Sequence, residues 1–370
     1  MHIGFIIYGS LDILSGGYLY DRKVVEYLRG QGDSVEIICL PWRNYAAHLT
    51  DNFHFRLPGS DVVATRQAAK RSPVERRLDI LIQDELNHPS LIFANRERHP
   101  YPIISLVHHL RCSELRPKWQ NAFYRFIEKQ YLRSVDGFIF NSETTQAAVT
   151  SLLKSDKPNI VAYPPTDRFD PLISEDEIMQ RARSNPLRIL FLGNVIPRKG
   201  LHTLLDALLI LHPSSFILDV VGSLTSEPEY AKQMQEFIAA SHLSSFVFLH
   251  GSLDKEPLIE KLKQSHILVV PSSYEGFGIV YLEGMGFGLP AIGTTAGAAG
   301  EIIQHGQTGY LIAPGDSKSL ADHIQSLTED RGLLTRLSLK ARERYARQPS
   351  WEETARNIRE FLYFIVNSAE

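Results

Sequence analysis

Short apolar runs rich in β-branched residues alternate with glycine-bearing turns and amphipathic stretches, and the alternation occurs twice along the chain. In the first half the runs are Ile3–Ile7, Val35–Leu40, Ile80–Ile82, Leu91–Phe93, Pro102–Val107 and Gly137–Phe140. Runs that are apolar throughout read as strands buried on both faces, the habit of parallel sheets. Parallel strands need crossover helices. Tyr18 to Arg29 supplies one, with Tyr20, Val24, Val25 and Leu28 at helical spacing after a loop holding Gly16 and Gly17. Asn141-Ser142 caps another that starts near Glu143. The second half repeats the scheme with Leu187–Leu192, Phe216–Val221, Phe246–Leu249, His266–Val270 and Leu289–Gly293, and a helix over Leu201–Leu211. Gly306–Leu311 reads as a small turn leading into Ala313-Pro-Gly-Asp316. Between the halves, Tyr163 to Pro186 carries Pro-Pro and an acidic Ser-Glu-Asp-Glu run, the character of a linker. The expected fold is α/β, with doubly wound parallel-sheet domains at 1–165 and 187–351, a linker at 166–186 and a terminal helix at 352–370.

A chain of 370 residues is long enough for two domains, and a net charge of −3 argues against a general nucleic-acid binder. Two cysteines, Cys39 and Cys112, give no disulfide framework and read as buried apolar residues. The segment MHIGFIIYGSL lacks the basic region and apolar length of a signal peptide. No stretch approaches the roughly 18 apolar residues of a membrane span. The expected location is the cytoplasm, free or loosely attached to a membrane face.

Chemistry concentrates between Pro271 and Thr295. A strand ends at Val270, Pro271-Ser-Ser-Tyr breaks it, and Glu275, Gly276, Phe277 and Gly278 lead into a helical run with Ile279, Leu282 and Met285 on one side. Glu283 follows Glu275 by eight positions, just over two helical turns, so one carboxylate stands at a strand-to-helix turn and another on the helix. Gly276 and Gly278 leave backbone N–H groups open at the helix N-terminus, a seat for an anionic or polyhydroxyl ligand. Gly284, Gly286 and Gly288 weaken the helix by about 1 kcal/mol each relative to alanine, so something must approach it closely.

This pattern, PS-x-x-EGFG-x4-E-x4-G-x-P, resembles the E-x7-E motif of the retaining glycosyltransferases of family 4, and the resemblance extends over most of the chain. It implies the GT-B architecture, two Rossmann-like domains facing each other across a cleft, with the last helix crossing back to the N-terminal domain. It implies a hexose moved from a UDP- or GDP-sugar to a hydroxyl of a glycan, lipid or small molecule, with Glu275 beside the donor sugar and Glu283 on the ribose. Backbone N–H groups of Phe277, Gly278 and Ile279 would meet sugar or phosphate. In Gly193-Asn194-Val-Ile-Pro197-Arg198-Lys199-Gly200, Arg198 and Lys199 would neutralise the diphosphate, no Asp-x-Asp metal motif being present outside the loose Glu175-Asp-Glu177. No metal cofactor is expected. The family usually has arginine where this chain has Asn194, which removes one cationic arm.

Gly16 and Gly17 would let the backbone approach the diphosphate, or form a flexible loop. His108 matches the family histidine that contacts the donor sugar, with a packed structural histidine as the alternative. Adjacent side chains of an extended strand diverge, so His108 and His109 make a poor two-ligand metal site. From Arg116 to Arg133, basic residues join Trp119, Phe123, Phe126, Ile127 and Tyr131 at helical spacing. This is a core-packing amphipathic helix, or, with the basic segment Lys70 to Arg77, a contact with an anionic membrane surface. The stretches Trp42 to Arg77 and His88 to Pro100 hold no signal that identifies the acceptor. Two other classes compete: a silent nucleotide-sugar-binding protein, and an epimerase on a similar scaffold, against which the EGFG-x4-E pattern speaks. A dehydrogenase is disfavoured because no strand is followed by GxGxxG.

Overall fold

The structure, a computed structural model, describes residues 1–13, 15–58, 77–154, 156–165, 169, 173–212 and 215–368. The basic segment from Lys70, apart from Arg77, and residues 59–69 of the candidate acceptor stretch before it lie outside these residues. The chain divides into two compact units, Met1–Pro165 with Pro349–Glu370, and Thr166–Gln348.

Unit 1 runs β1 (His2–Tyr8), α1 (Gly16–Gly30), β2 (Ser34–Leu40), α2 (Tyr45–Asp51), β3 (Ile80–Asp84), α3 (His88–Leu91), β4 (Ile103–Val107), α4 (Lys118–Arg133), β5 (Gly137–Phe140), α5 (Glu143–Leu153) and β6 (Asn159–Val161). The sheet order is β2-β1-β3-β4-β5-β6, with every pair parallel. The period-two alternation of a strand divides β1 between two cores. Ile3, Phe5 and Ile7 pack with α1, while Ile6 and Tyr8 pack on the other face with residues of α4 and α5.

Unit 2 opens with α6 (Glu175–Ala182), then β7 (Leu187–Leu192), α7 (Leu201–Leu208), β8 (Phe216–Val221), α8 (Pro228–Ala240), β9 (Val247–Gly251) and α9 (Lys255–Gln264). It continues with β10 (Ile267–Val269), α10 (Ile279–Gly286), β11 (Ala291–Thr294), α11 (Ala299–Ile302), β12 (Gly309–Ile312), α12 (Ser317–Glu329) and α13 (Arg331–Ala346). Its parallel order is β12-β11-β10-β7-β8-β9. The final helix, α14 (Trp351–Ser368), packs on α1 in unit 1 with Ala355, Ile358 and Leu362 fully buried. Burying each of the two larger side chains stabilises by about 1.5–3 kcal/mol.

Several local expectations are corrected. Leu91–Phe93 is not a strand: it continues from α3, whose first turn takes Pro89 where a missing N–H is harmless. Gly16 and Gly17 begin α1 rather than forming a loop, because Ser15 caps that helix by accepting from the Tyr18 N–H. The acidic run at Glu175 is not linker but the first turn of α6, closed by a capping box between Ser174 and Glu177. Residues from Gly309 form an edge strand beyond the expected turn. Cys39 is exposed, while Cys112 is buried. Trp119, Phe123 and Phe126 lie outside the core, since α4 buries Ile127, Tyr131 and Leu132 instead.

Both sheets reverse their winding direction once, between β1 and β3 and between β7 and β10. In doubly wound sheets the crevice at such a switch point, outside the carboxyl ends of the strands, is where ligands bind. No helix among the described residues is long and apolar enough to cross a membrane.

Candidate functional site

The unit 2 switch point gathers the segments after β7 and β10. After β7, a short turn over Pro197–Lys199 ends at Gly200, whose φ is +75°. A Cβ there would stand 2.2 Å from the Pro271 carbonyl oxygen, so only glycine lets this turn touch the segment after β10. The Ser273 N–H donates to the Arg198 carbonyl at 2.8 Å and fixes the register.

This contact carries Lys199 to Glu275. The Lys199 ammonium donates to Glu275 Oε1, and the Ser272 hydroxyl donates to the same oxygen at 2.6 Å. Arg198 stands 4.0 Å from the other carboxylate oxygen and donates to the Tyr274 carbonyl at 2.9 Å. Glu275 is only 5% exposed. Burial pushes its carboxyl upward, but Lys199 and Arg198 outweigh that and hold it below the usual carboxylate range. Burial likewise draws the Lys199 ammonium below its ordinary value, with Glu275 opposing. The Glu275 backbone is clamped from the far side. Its carbonyl accepts from Ala298 N–H at 2.8 Å, and Gly297 (φ +82°) lies so close that a Cβ would stand 2.0 Å from that carbonyl.

Gly278 is the N-cap of α10, Ile279 its first residue, and Glu283 is buried on it. Phe277 is buried beside them. What approaches the glycine-rich helix is the sheet: a Cβ on Gly284 would stand 3.0 Å from Leu268 of β10. Gly193 lies against the Lys199 stem. Asn194 is committed locally, its Oδ1 accepting from the Ser223 N–H at 3.3 Å.

His108, Gly16 and Gly17 gather at the switch point of unit 1. A Cβ on Gly17 would stand 3.3 Å from the His108 ring, and the edge-on Tyr20 ring lies 5.5 Å away. His109 diverges as expected, toward Glu114 at 3.1 Å. Three acids missing from the sequence reading surround His108. Asp21 Oδ1 lies 3.1 Å from its Nε2, Glu85 accepts its backbone N–H at 2.7 Å, and Asp84 adjoins Asp21. Asp21 and Asp84 are buried, and one oxygen of each finds no protein donor among the described residues. The two carboxyl groups lie side by side, with ligand atoms of Asp21, Asp84 and His108 all within 4.8 Å of one another. Burial pushes Asp21 up to about 8. Burial, reinforced by the Asp21 charge, pushes Asp84 up to about 7. Burial lowers His108, keeping its ring neutral, and Asp84 opposes the shift. Among the described residues Asp21, Asp84 and His108 are the one group of three acidic and histidine side chains whose ligand atoms come close enough together to hold a cation. Sequence signal for Asp21 was slight: a single acid on the otherwise apolar face of α1.

The family descriptions that match are Glycosyltransferase Family 4, over residues 21–167, and Glycosyl transferases group 1, over residues 174–344. The chain belongs to glycosyltransferase family 4. This family 4 glycosyltransferase is 31% identical over 287 residues to a glycogen synthase of Mycobacterium tuberculosis, covering 72% of this chain and 64% of that relative. It thus spans just under two thirds of the relative's length. Its structure superimposes on a sucrose-phosphate synthase from Thermosynechococcus elongatus with a TM-score of 0.80 at 19% identity, covering 100% of this chain and 99% of that one. Against Anabaena Alr3699/HepE in complex with UDP-glucose the TM-score is 0.70 at 19% identity, covering 98% and 100%. At such identity the likeness establishes the fold, the two-domain GT-B arrangement of parallel α/β units.

Proposed function

We propose that this glycosyltransferase moves a hexose from a nucleoside-diphosphate sugar to an acceptor hydroxyl on a glycan, lipid or small molecule, retaining the anomeric configuration and using no metal. The observation that carries the reading is the Lys199–Glu275–Ser272–Arg198 cluster at the unit 2 switch point. Two cations are held there by one buried carboxylate, beside the N-terminus of α10. A departing diphosphate develops negative charge, and Arg198, Lys199 and the N–H groups from Phe277 to Ile279 are pre-set donors for it. Glu275 fixes the ammonium and offers its free lone pairs to sugar hydroxyls, while Glu283 accepts from the ribose. In retaining transfer by front-face attack the departing phosphate oxygen takes the acceptor proton, so the protein supplies positioning and charge rather than a base. His108, whose Nε2 lies 3.1 Å from Asp21 Oδ1, is the further residue assigned to contact with the donor sugar. The UDP-glucose in the Anabaena complex supports a uridine donor. The reading places the enzyme in the cytoplasm.

Thermal unfolding with UDP, GDP and ADP, in EDTA and then in Mg2+, tests it. A diphosphate at about 100 times its dissociation constant adds about 2.7 kcal/mol of stability. The midpoint is expected to rise with one nucleotide, UDP or GDP, equally in EDTA and Mg2+. No rise with any nucleotide, or a rise only with Mg2+, overturns the cation-cradle reading.

A further inference from the structure

The structure gives α4 a face that packing within unit 1 leaves uncovered. Its C-terminal half is anchored by Ile127, Tyr131 and Leu132, but Trp119 is 71% exposed, Phe123 45% and Phe126 61%. Positions 119, 123 and 126 are spaced i, i+4, i+7 and share one side of the helix. Leu115, just ahead of the helix, is 68% exposed. Around these apolar groups stand Lys118, Arg125 and Arg133, all exposed, and the partly covered Lys129. The only carboxylate in α4 is Glu128, which is buried and accepts from the backbone N–H groups of Arg111 and Cys112. The outer face therefore carries large aromatic side chains, cations and no exposed acid, in a chain whose net charge is −3. On the same unit α3, itself buried, packs against α4 and is followed by the exposed Phe93, paired edge-on with the exposed Phe53 at 5.6 Å.

We infer that this face of α4 docks on an anionic lipid bilayer surface. Aromatic side chains seated at the headgroup boundary, with lysine and arginine ringed about them, are the composition such a surface selects. A second copy of the chain fits worse, because a two-fold contact through this face sets Lys118 and Arg125 against the same cations of the partner. The inference stands apart from the transfer reaction, and none of its readouts involves turnover.

The test is sedimentation of the full chain with vesicles of phosphatidylcholine alone and with added phosphatidylglycerol, at low and high salt. The expected result is binding to the phosphatidylglycerol vesicles only, lost at about 1 M salt, where the screening length falls to about 3 Å. The Lys118→Gln/Arg125→Gln variant is expected to bind roughly 30-fold more weakly, from about 1 kcal/mol per basic residue at the surface. Phe123→Ser/Phe126→Ser should release the protein while leaving its melting temperature within a few degrees of the wild type, since both rings are exposed. Three results overturn the inference: wild-type protein that stays in the supernatant at low salt, variants that sediment as well as wild type, or ultracentrifugation showing a dimer that Phe123→Ser/Phe126→Ser dissolves.

Discussion

Replacing Lys199 with methionine removes the ammonium but keeps most of the stem that packs on Gly193. Glu275, 5% exposed, is then left with the Ser272 hydroxyl and an Arg198 guanidinium 4.0 Å away. Breaking an isolated buried pair costs roughly 3–5 kcal/mol. Arg198 still compensates part of the charge, so about 2 kcal/mol is expected here. Glu275→Gln should cost a similar amount by stranding the ammonium. The double variant replaces both charges by groups of like volume, and its loss should fall short of the sum by about 2 kcal/mol, the coupling of groups in contact. Urea unfolding of the four proteins measures this cycle. Turnover must follow a different course: all three variants should release UDP from UDP-glucose roughly 10²- to 10³-fold more slowly, the range for losing a pre-set charge stabiliser. Additive stabilities within about 0.5 kcal/mol would mean the pair is not coupled. Turnover recovering in the double variant would mean it serves the fold alone.

Gly200→Ala should cost about 1–2 kcal/mol for its left-handed backbone, more for the 2.2 Å approach to Pro271, and much of the turnover as Lys199 shifts. Gly306→Ala, with the same φ of +75° but open space around it, should cost only the backbone share, which thermal melts of the pair will separate. Asp21 and Asp84 are acids raised in the folded state to about 8 and about 7. Their stability contribution is full below the unfolded-state values and drains as pH rises through those folded values. Asp84→Asn should therefore flatten the fall of the melting temperature between about pH 4 and 8, and an unchanged slope refutes the upward shift of these buried acids. Glu275 is depressed, so its contribution is present at neutral pH and disappears only as pH falls below the ordinary carboxylate range. The acid limb of the stability profile should shrink in Glu275→Gln.

Much of the fold was legible because strands buried on both faces carry runs too apolar to be anything else, as in Ile3–Ile7 and Leu187–Leu192. Legibility failed where runs were short. Leu91–Phe93 is three residues, too few to show a period, and the proline two positions earlier had already opened a helix. The α4 aromatics kept perfect helical spacing, yet spacing alone does not say which face turns inward, and Ile127, Tyr131 and Leu132 took the core. At the unit 2 switch point the glycines and acids advertised themselves together, whereas Ser272, a common residue in a turn, gave no sign that its hydroxyl would complete the Glu275 shell. Asp21 and Asp84 were invisible for a related reason: their meaning lies in a contact between α1 and β3, distant in sequence.

The central claim is metal-independent transfer with retention, and the anomer released first tests it most directly. UDP-α-D-glucose hydrolysed by the enzyme in EDTA and followed by proton NMR should yield the α-anomer of glucose before mutarotation mixes the two, at a rate lost in Lys199→Met. The β-anomer appearing first, or release that requires an added divalent cation, contradicts the account.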